Sequence, residues 1–200
     1  MAIAVGSVSN TPTYGTRTNS TITAPTGITN GDLLVAVLHA GNSAGTAVTV
    51  TPPSGFTEVT NSPVAETFSG YTIASHVYYK VAASESGNYT FNHTSADTEG
   101  YMYRLTGADT STPIDVTPAT AVANLVNNGT TTELATITTV TNGAFIIAQD
   151  SAWDAPGAAS WSGTTPTLTT RRTGSISKLA DGTQTTAGAT GARTRTNGNT

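Results

Sequence analysis

Turn-forming residues interrupt this chain so often that a helix of three turns has no room to form. Gly, Pro, Asn-Gly and Thr-Thr steps recur along its 200 residues. The apolar side chains between them follow a period of two, not the 3.6-residue helical period. Tyr71 to Ala82 is the clearest case. Ile73, Ser75, Val77 and Tyr79 fall on one face of an extended strand, and Thr72, Ala74, His76, Tyr78 and Lys80 on the other. One segment departs from alternation: Leu33 to Leu38 is apolar at every position. A strand apolar on both faces has to be covered on both, which makes it central.

Further strands are expected at Ile3–Val8, Thr18–Ala24, Ala47–Thr51, Phe56–Thr60, Asn88–Thr94, Gly100–Leu105 and Arg193–Thr196. Two hairpins are expected as well. Glu133–Val140 faces Ala144–Gln149 across Thr141-Asn142-Gly143, where Asn and Gly tolerate positive φ. Leu168–Thr173 faces Ser175–Ala180 with a turn at Gly174. About ten short strands without intervening helices specify an all-β fold, an antiparallel β-sandwich of jelly-roll-like form. Residues 107–132 and 151–166 read as long surface loops. With no internal repeat and no linker signal, residues 1–200 read as a single domain.

Charged residues make up only 10% of the chain, so hydroxyls and amides have to keep it in solution. Threonine, the commonest residue, suits exposed strand faces because its β-branch fits the pleat while its hydroxyl stays wet. The net charge of −4 argues against a nucleic-acid partner, which requires a basic face. Its distribution is uneven. Residues 1–160 carry three basic and eleven acidic side chains, a net of −8. Residues 161–200 carry Arg171, Arg172, Lys178, Arg193 and Arg195 against Asp181 alone, a net of +4. Such asymmetry encodes docking, and these five cations are the candidate assembly contact. Cysteine is absent, which removes disulfides and thiolate chemistry. The first residues lack the basic start and apolar run of a signal peptide, and no stretch has the length of a membrane span. Manufacture in the cytoplasm, with no membrane partner, is the expectation.

Motifs that carry chemistry are weak. Gly41-Asn42-Ser43-Ala44-Gly45 matches the Gly-x-Ser-x-Gly nucleophile elbow, but that elbow needs a following helix and Thr46–Val50 has a strand pattern. His39, His76 and His93 lie inside strands, at no metal-ligand spacing from one another. Asp150 and Asp154 supply two oxygen donors where a calcium site wants several. No pair among the twelve carboxylates stands out as a glycosidase pair. The four Asn-x-Ser/Thr sequons read as chance matches in so threonine-rich a chain. No catalytic residue, metal or cofactor is therefore expected. Trp153 and Trp161 fall in one predicted loop. They are the candidate glycan contact, because an aromatic face stacks on a sugar ring; plugging one end of the fold is the plainer role.

The order of segments resembles a known domain. Ile28-Thr29-Asn30-Gly31-Asp32-Leu33-Leu34-Val35-Ala36 precedes Pro52-Pro53-Ser54-Gly55-Phe56. His76-Val77-Tyr78-Tyr79-Lys80-Val81-Ala82, Tyr89-Thr90-Phe91 and Leu105-Thr106-Gly107-Ala108-Asp109 follow, the last leading to Thr112-Pro113-Ile114-Asp115. This is similar to a β-sandwich domain of tailed-phage and prophage structural proteins, over most of residues 20–195, with Phe56 where tryptophan is commoner. The resemblance implies a virion protein, made in the host cytoplasm, whose partners are other virion proteins such as a major capsid or tail protein. A capsid decoration protein that forms a homo-oligomer is the leading expectation, and a tail-tip or fibre adhesin that binds host glycans the alternative. Such domains usually end in one more apolar strand. Here the sequence closes on Asn197-Gly198-Asn199-Thr200, so the last strand is expected to be missing or supplied by a neighbour.

Overall fold

A computed structural model of the chain describes residues 2–11, 14–68, 70–117, 131–151, 160–161, 165–175 and 177–196. The fold is all-β, as expected: every strand pairing is antiparallel, and no helix occurs among the described residues. They form two compact units, Met1–Ile114 and Asp115–Thr200.

The first unit is one eight-stranded sheet: β1 (Ala4–Asn10), β2 (Gly15–Ile22), β3 (Leu33–Asn42), β4 (Val50–Thr51), β5 (Thr57–Glu58), β6 (Val64–Phe68), β7 (Tyr71–Val81) and β8 (Tyr89–Thr106). The apolar run does take the centre. β3 lies between β7 and β8, and Leu33 through Gly41 are buried without interruption. β7 keeps the expected alternation, with Thr72, Ala74, His76 and Tyr78 inward.

β8 departs from expectation. The two predicted strands Asn88–Thr94 and Gly100–Leu105 are one strand of 18 residues. The polar link between them pairs rather than loops, with Ala96 opposite Arg17, Asp97 opposite Gly41 and Glu99 opposite His39. The strand also bends sharply. Tyr78 lies opposite Ala36, which lies opposite Met102. Phe91 is eleven residues before Met102, so a straight β8 would put it about 36 Å along the strand. The Tyr78 and Phe91 rings are nevertheless 5.4 Å apart. The sheet therefore doubles over on itself, and the bend coincides with a register shift: Arg17 pairs with Ala96 but Asn19 with Asn92. Three residues of β8 thus oppose Thr18 alone, a bulge of the kind that kinks a strand. The doubled faces enclose one core of Leu34, Ala36, Leu38, Tyr78, Phe91 and Met102 with Phe56, whose ring meets Tyr89 at 5.3 Å and Phe91 at 5.6 Å.

Polar latches close the turns. Thr29 donates to Asp32 Oδ2 from its backbone N at 2.7 Å and from its hydroxyl at 3.0 Å, and Arg104 Nε donates to the same oxygen at 2.7 Å. Burial opposes the charge on Asp32, but these hydrogen bonds outweigh it and hold the carboxyl below the ordinary carboxylate range. Gly27 is needed beside this latch, with φ +71° and with Arg104 Nη1 only 2.9 Å from where a Cβ would stand. The Gly41–Gly45 stretch is a turn with Ser43 exposed, and no helix follows it.

The second unit holds β9 (Thr131–Leu134), β10 (Thr138–Thr139), β11 (Ala144–Ser151), β12 (Ser160–Trp161), β13 (Thr169–Thr173), β14 (Ser177–Gln184), β15 (Gly188–Ala189) and β16 (Arg193–Thr196). They make three small sheets, ordered β10–β15, β11–β14–β13 and β12–β16–β9. The β13–β14 hairpin turns at Gly174, as expected, where the Gly174 N–H donates to Ser177 O at 2.8 Å. The other predicted hairpin does not form. The chain turns at Asn142-Gly143, with Gly143 at φ +77°, yet β11 pairs with β14 and β10 with β15. Side chains fix that turn instead. Asp115 accepts from Val140 N at 2.9 Å and from the Thr141 hydroxyl at 2.6 Å, and Asn142 Oδ1 accepts from Ala187 N at 2.8 Å.

Candidate functional site

The three histidines tie strands together. His76 Nδ1 lies 3.0 Å from Glu58 Oε1, and its Nε2 lies 3.0 Å from the Val48 carbonyl oxygen. The Ser62 hydroxyl donates to the same Glu58 oxygen at 2.9 Å, and Ser62 Oγ accepts from Val77 N at 2.8 Å. One imidazole thereby fastens β7 to β5 and to the segment ahead of β4. His93 stands in the β8 bulge, with Nδ1 2.7 Å from Thr94 O and Nε2 3.0 Å from Ser20 Oγ. Ser20 Oγ is also 2.7 Å from Thr98 Oγ1. Burial pushes the His93 pKa down, which favours the uncharged ring. His39 is wholly buried, its Nδ1 is 3.0 Å from Ser75 Oγ, and burial pushes its pKa down to about 4.

Two of these pairings, Ser20–His93 and Ser75–His39, have the hydroxyl-to-imidazole contact that an activated nucleophile uses. Their setting is different. Ser20 and His39 are both fully buried, and both pairs are rungs between strands: Ser75 and Glu99 are the cross-strand neighbours of His39, on β7 and β8. Packed there, the pairs satisfy interior polar groups and do not face solvent.

The five candidate cations do not form one surface. Arg171 and Arg172 lie on β13, every residue of which is exposed. Lys178 and Arg193 are corrected by the structure: they are 1% and 4% exposed, far inside their unit. Burial lowers the pKa of both. Arg193 Nη2 donates to the Pro166 carbonyl, so its charge is committed inward. Arg195 is on β16, where its backbone pairs with Trp161 and Thr132. A basic segment thus divides into an exposed pair and an interior pair. Sequence could not separate them, because Ser177 to Asp181 are buried on both faces of β14.

Arg171 is the best-built of the five. Its Nε donates to Asp181 Oδ2 at 2.5 Å and its Nη2 to Asp181 Oδ1 at 2.8 Å, the bidentate fork that guanidinium geometry allows. Asp181 is 1% exposed. Arg171 is also the extra residue of a bulge, since Thr170 pairs with Ala180 and Arg172 with Leu179. Gly182 keeps the neighbouring backbone close: a Cβ there would stand 2.4 Å from Thr167 O. Asp181 as an anchor is what sequence reasoning missed. Its signal was present, as the lone acid among five bases.

The glycan pair is not brought together by anything described. Trp153 lies outside the described residues, as do Asp154 and Asn197–Thr200, and Trp161 is known as a backbone position of β12. Among the described residues no three His, Cys, Asp or Glu side chains gather as a metal site, and no helix is long and apolar enough to cross a membrane. Comparison with family models, curated proteins and solved structures finds no match.

Proposed function

We propose that this chain is a non-enzymatic structural protein of a tailed-phage particle, a capsid decoration or accessory protein that docks on an acidic protein surface through β13. The observation that carries this reading is β13 itself. It presents Thr169, Thr170, Arg171, Arg172 and Thr173, all exposed, from a backbone whose first arginine is locked to a buried carboxylate. A guanidinium held in place loses less freedom on binding than a free one, so its hydrogen bonds contribute more to association. The histidines support the same reading, since their partners are strand-to-strand ties. So does the order of segments shared with the phage domain, including Asp32, which here closes the turn before the central strand.

The test is an image of purified particles carrying a labelled copy of the chain. Label distributed over the head is the expected result. Label confined to the tail tip favours an adhesin, and particles free of label overturn the reading.

A further inference from the structure

We infer that the acidic surface on which β13 docks is the outer β5–β6 edge of a second copy of this chain. The inference rests on the docking role proposed above and names its partner.

Charge within the chain is already complementary. Residues 1–114 carry seven acidic and three basic side chains, a net of −4. Two of those bases are neutralised in place, Arg104 by Asp32 at 2.7 Å and Lys80 by Glu85 at 2.8 Å. The surplus of carboxylate is what a neighbouring copy meets. Glu58 and Glu66 lie on β5 and β6, strands whose described pairing is with β7 alone, so they form the outer edge of the large sheet. Glu66 sits at the middle of β6 between exposed Ala65 and Thr67.

β6 and β13 are each five residues long and extended, so their side-chain rows match over about 17 Å. The β13 bulge and its two arginines work against continuous backbone pairing, as such features do on natural edge strands. The contact is therefore made by side chains: the Arg172 guanidinium on the Glu66 carboxylate, with threonine hydroxyls on both sides around it. An exposed ion pair is screened by salt, so the association has to weaken as ionic strength rises. Because the two surfaces differ, the contact is heterologous and builds a ring or an open chain, not a twofold dimer.

Sedimentation velocity on the full chain, at low salt and rising concentration, tests this directly. The wild type is expected to associate and to come apart in high salt. Arg172→Glu and Glu66→Arg are each expected to weaken association by about tenfold or more, and the double variant to recover it. A wild type that stays monomeric throughout, single variants that associate normally, or a double variant that fails to recover would each overturn the inference. The assay contains no particles. A monomeric chain that still labels particle heads therefore removes this partner and leaves the structural reading standing.

Discussion

The two units handle their charged side chains in opposite ways. In residues 1–114, Arg104 and Lys80 lie near the surface and each meets a carboxylate that is itself buried, so cations there serve as latches on turns. In residues 115–200, Lys178 and Arg193 are more deeply buried than either, while Arg171 and Arg172 stand on an exposed strand. The difference shows that the net charge of a segment does not locate its docking face. The +4 of residues 161–200 is partly interior, and neutralising all of it would damage the fold before it tested any contact.

Three perturbations bear on that contrast, beginning with the largest. Phe91→Ala removes the ring that joins the doubled halves of the large sheet, beside Tyr78 and Phe56. Chemical denaturation is expected to show a loss of about 3–5 kcal/mol, and a loss below about 1 kcal/mol would mean that the bend is not held by this core. Next come the neighbouring arginines. Arg171→Ala strands the Asp181 carboxylate at 1% exposure and is expected to cost about 3 kcal/mol, whereas Arg172→Ala should stay within about 0.5 kcal/mol. Equal losses would erase the distinction between an anchored and a presented cation.

The third is a pH profile. Burial holds His39 at a pKa of about 4 against an ordinary 6.5, with Glu99 pulling weakly the other way. Between those values the unfolded chain takes up a proton that the folded chain refuses. The stability contributed by neutral His39 is thus complete above about pH 6.5 and is lost as pH falls towards about 4, by roughly 3 kcal/mol. His93, shifted in the same direction by burial, adds to the slope. His39→Gln should flatten the profile but leave the His93 part. A wild-type stability unchanged across this window would contradict the buried neutral ring.

Sequence carried the first unit further than the second. The unbroken Leu33–Leu38 run and the alternation of Tyr71–Val81 depend on local burial, and both elements lie where they were expected. Ser95 to Glu99 misled because polar residues within a strand look like a turn, yet their pairing is supplied by β2 and β3, distant in sequence. Asn142-Gly143 misled in the opposite sense. Its turn chemistry is real, but a turn fixes direction and does not choose partners, and Gln184 and Gly188 supply those from some forty residues on. The candidate site was legible to the level of composition. A surplus of arginine pointed at β13, while the burial of Lys178 and Arg193 and the anchoring by Asp181 depend on contacts that no local pattern encodes.

The central claim is that exposed guanidinium on β13, rather than the charge of the whole basic segment, attaches this protein to its assembly. Occupancy on purified particles, measured for the wild type and Arg172→Glu across a salt series, tests it most directly. The variant, with wild-type unfolding behaviour, should be depleted from particles at every ionic strength, and wild-type occupancy should fall as salt rises. Equal occupancy of the two chains, insensitive to salt, would contradict the claim.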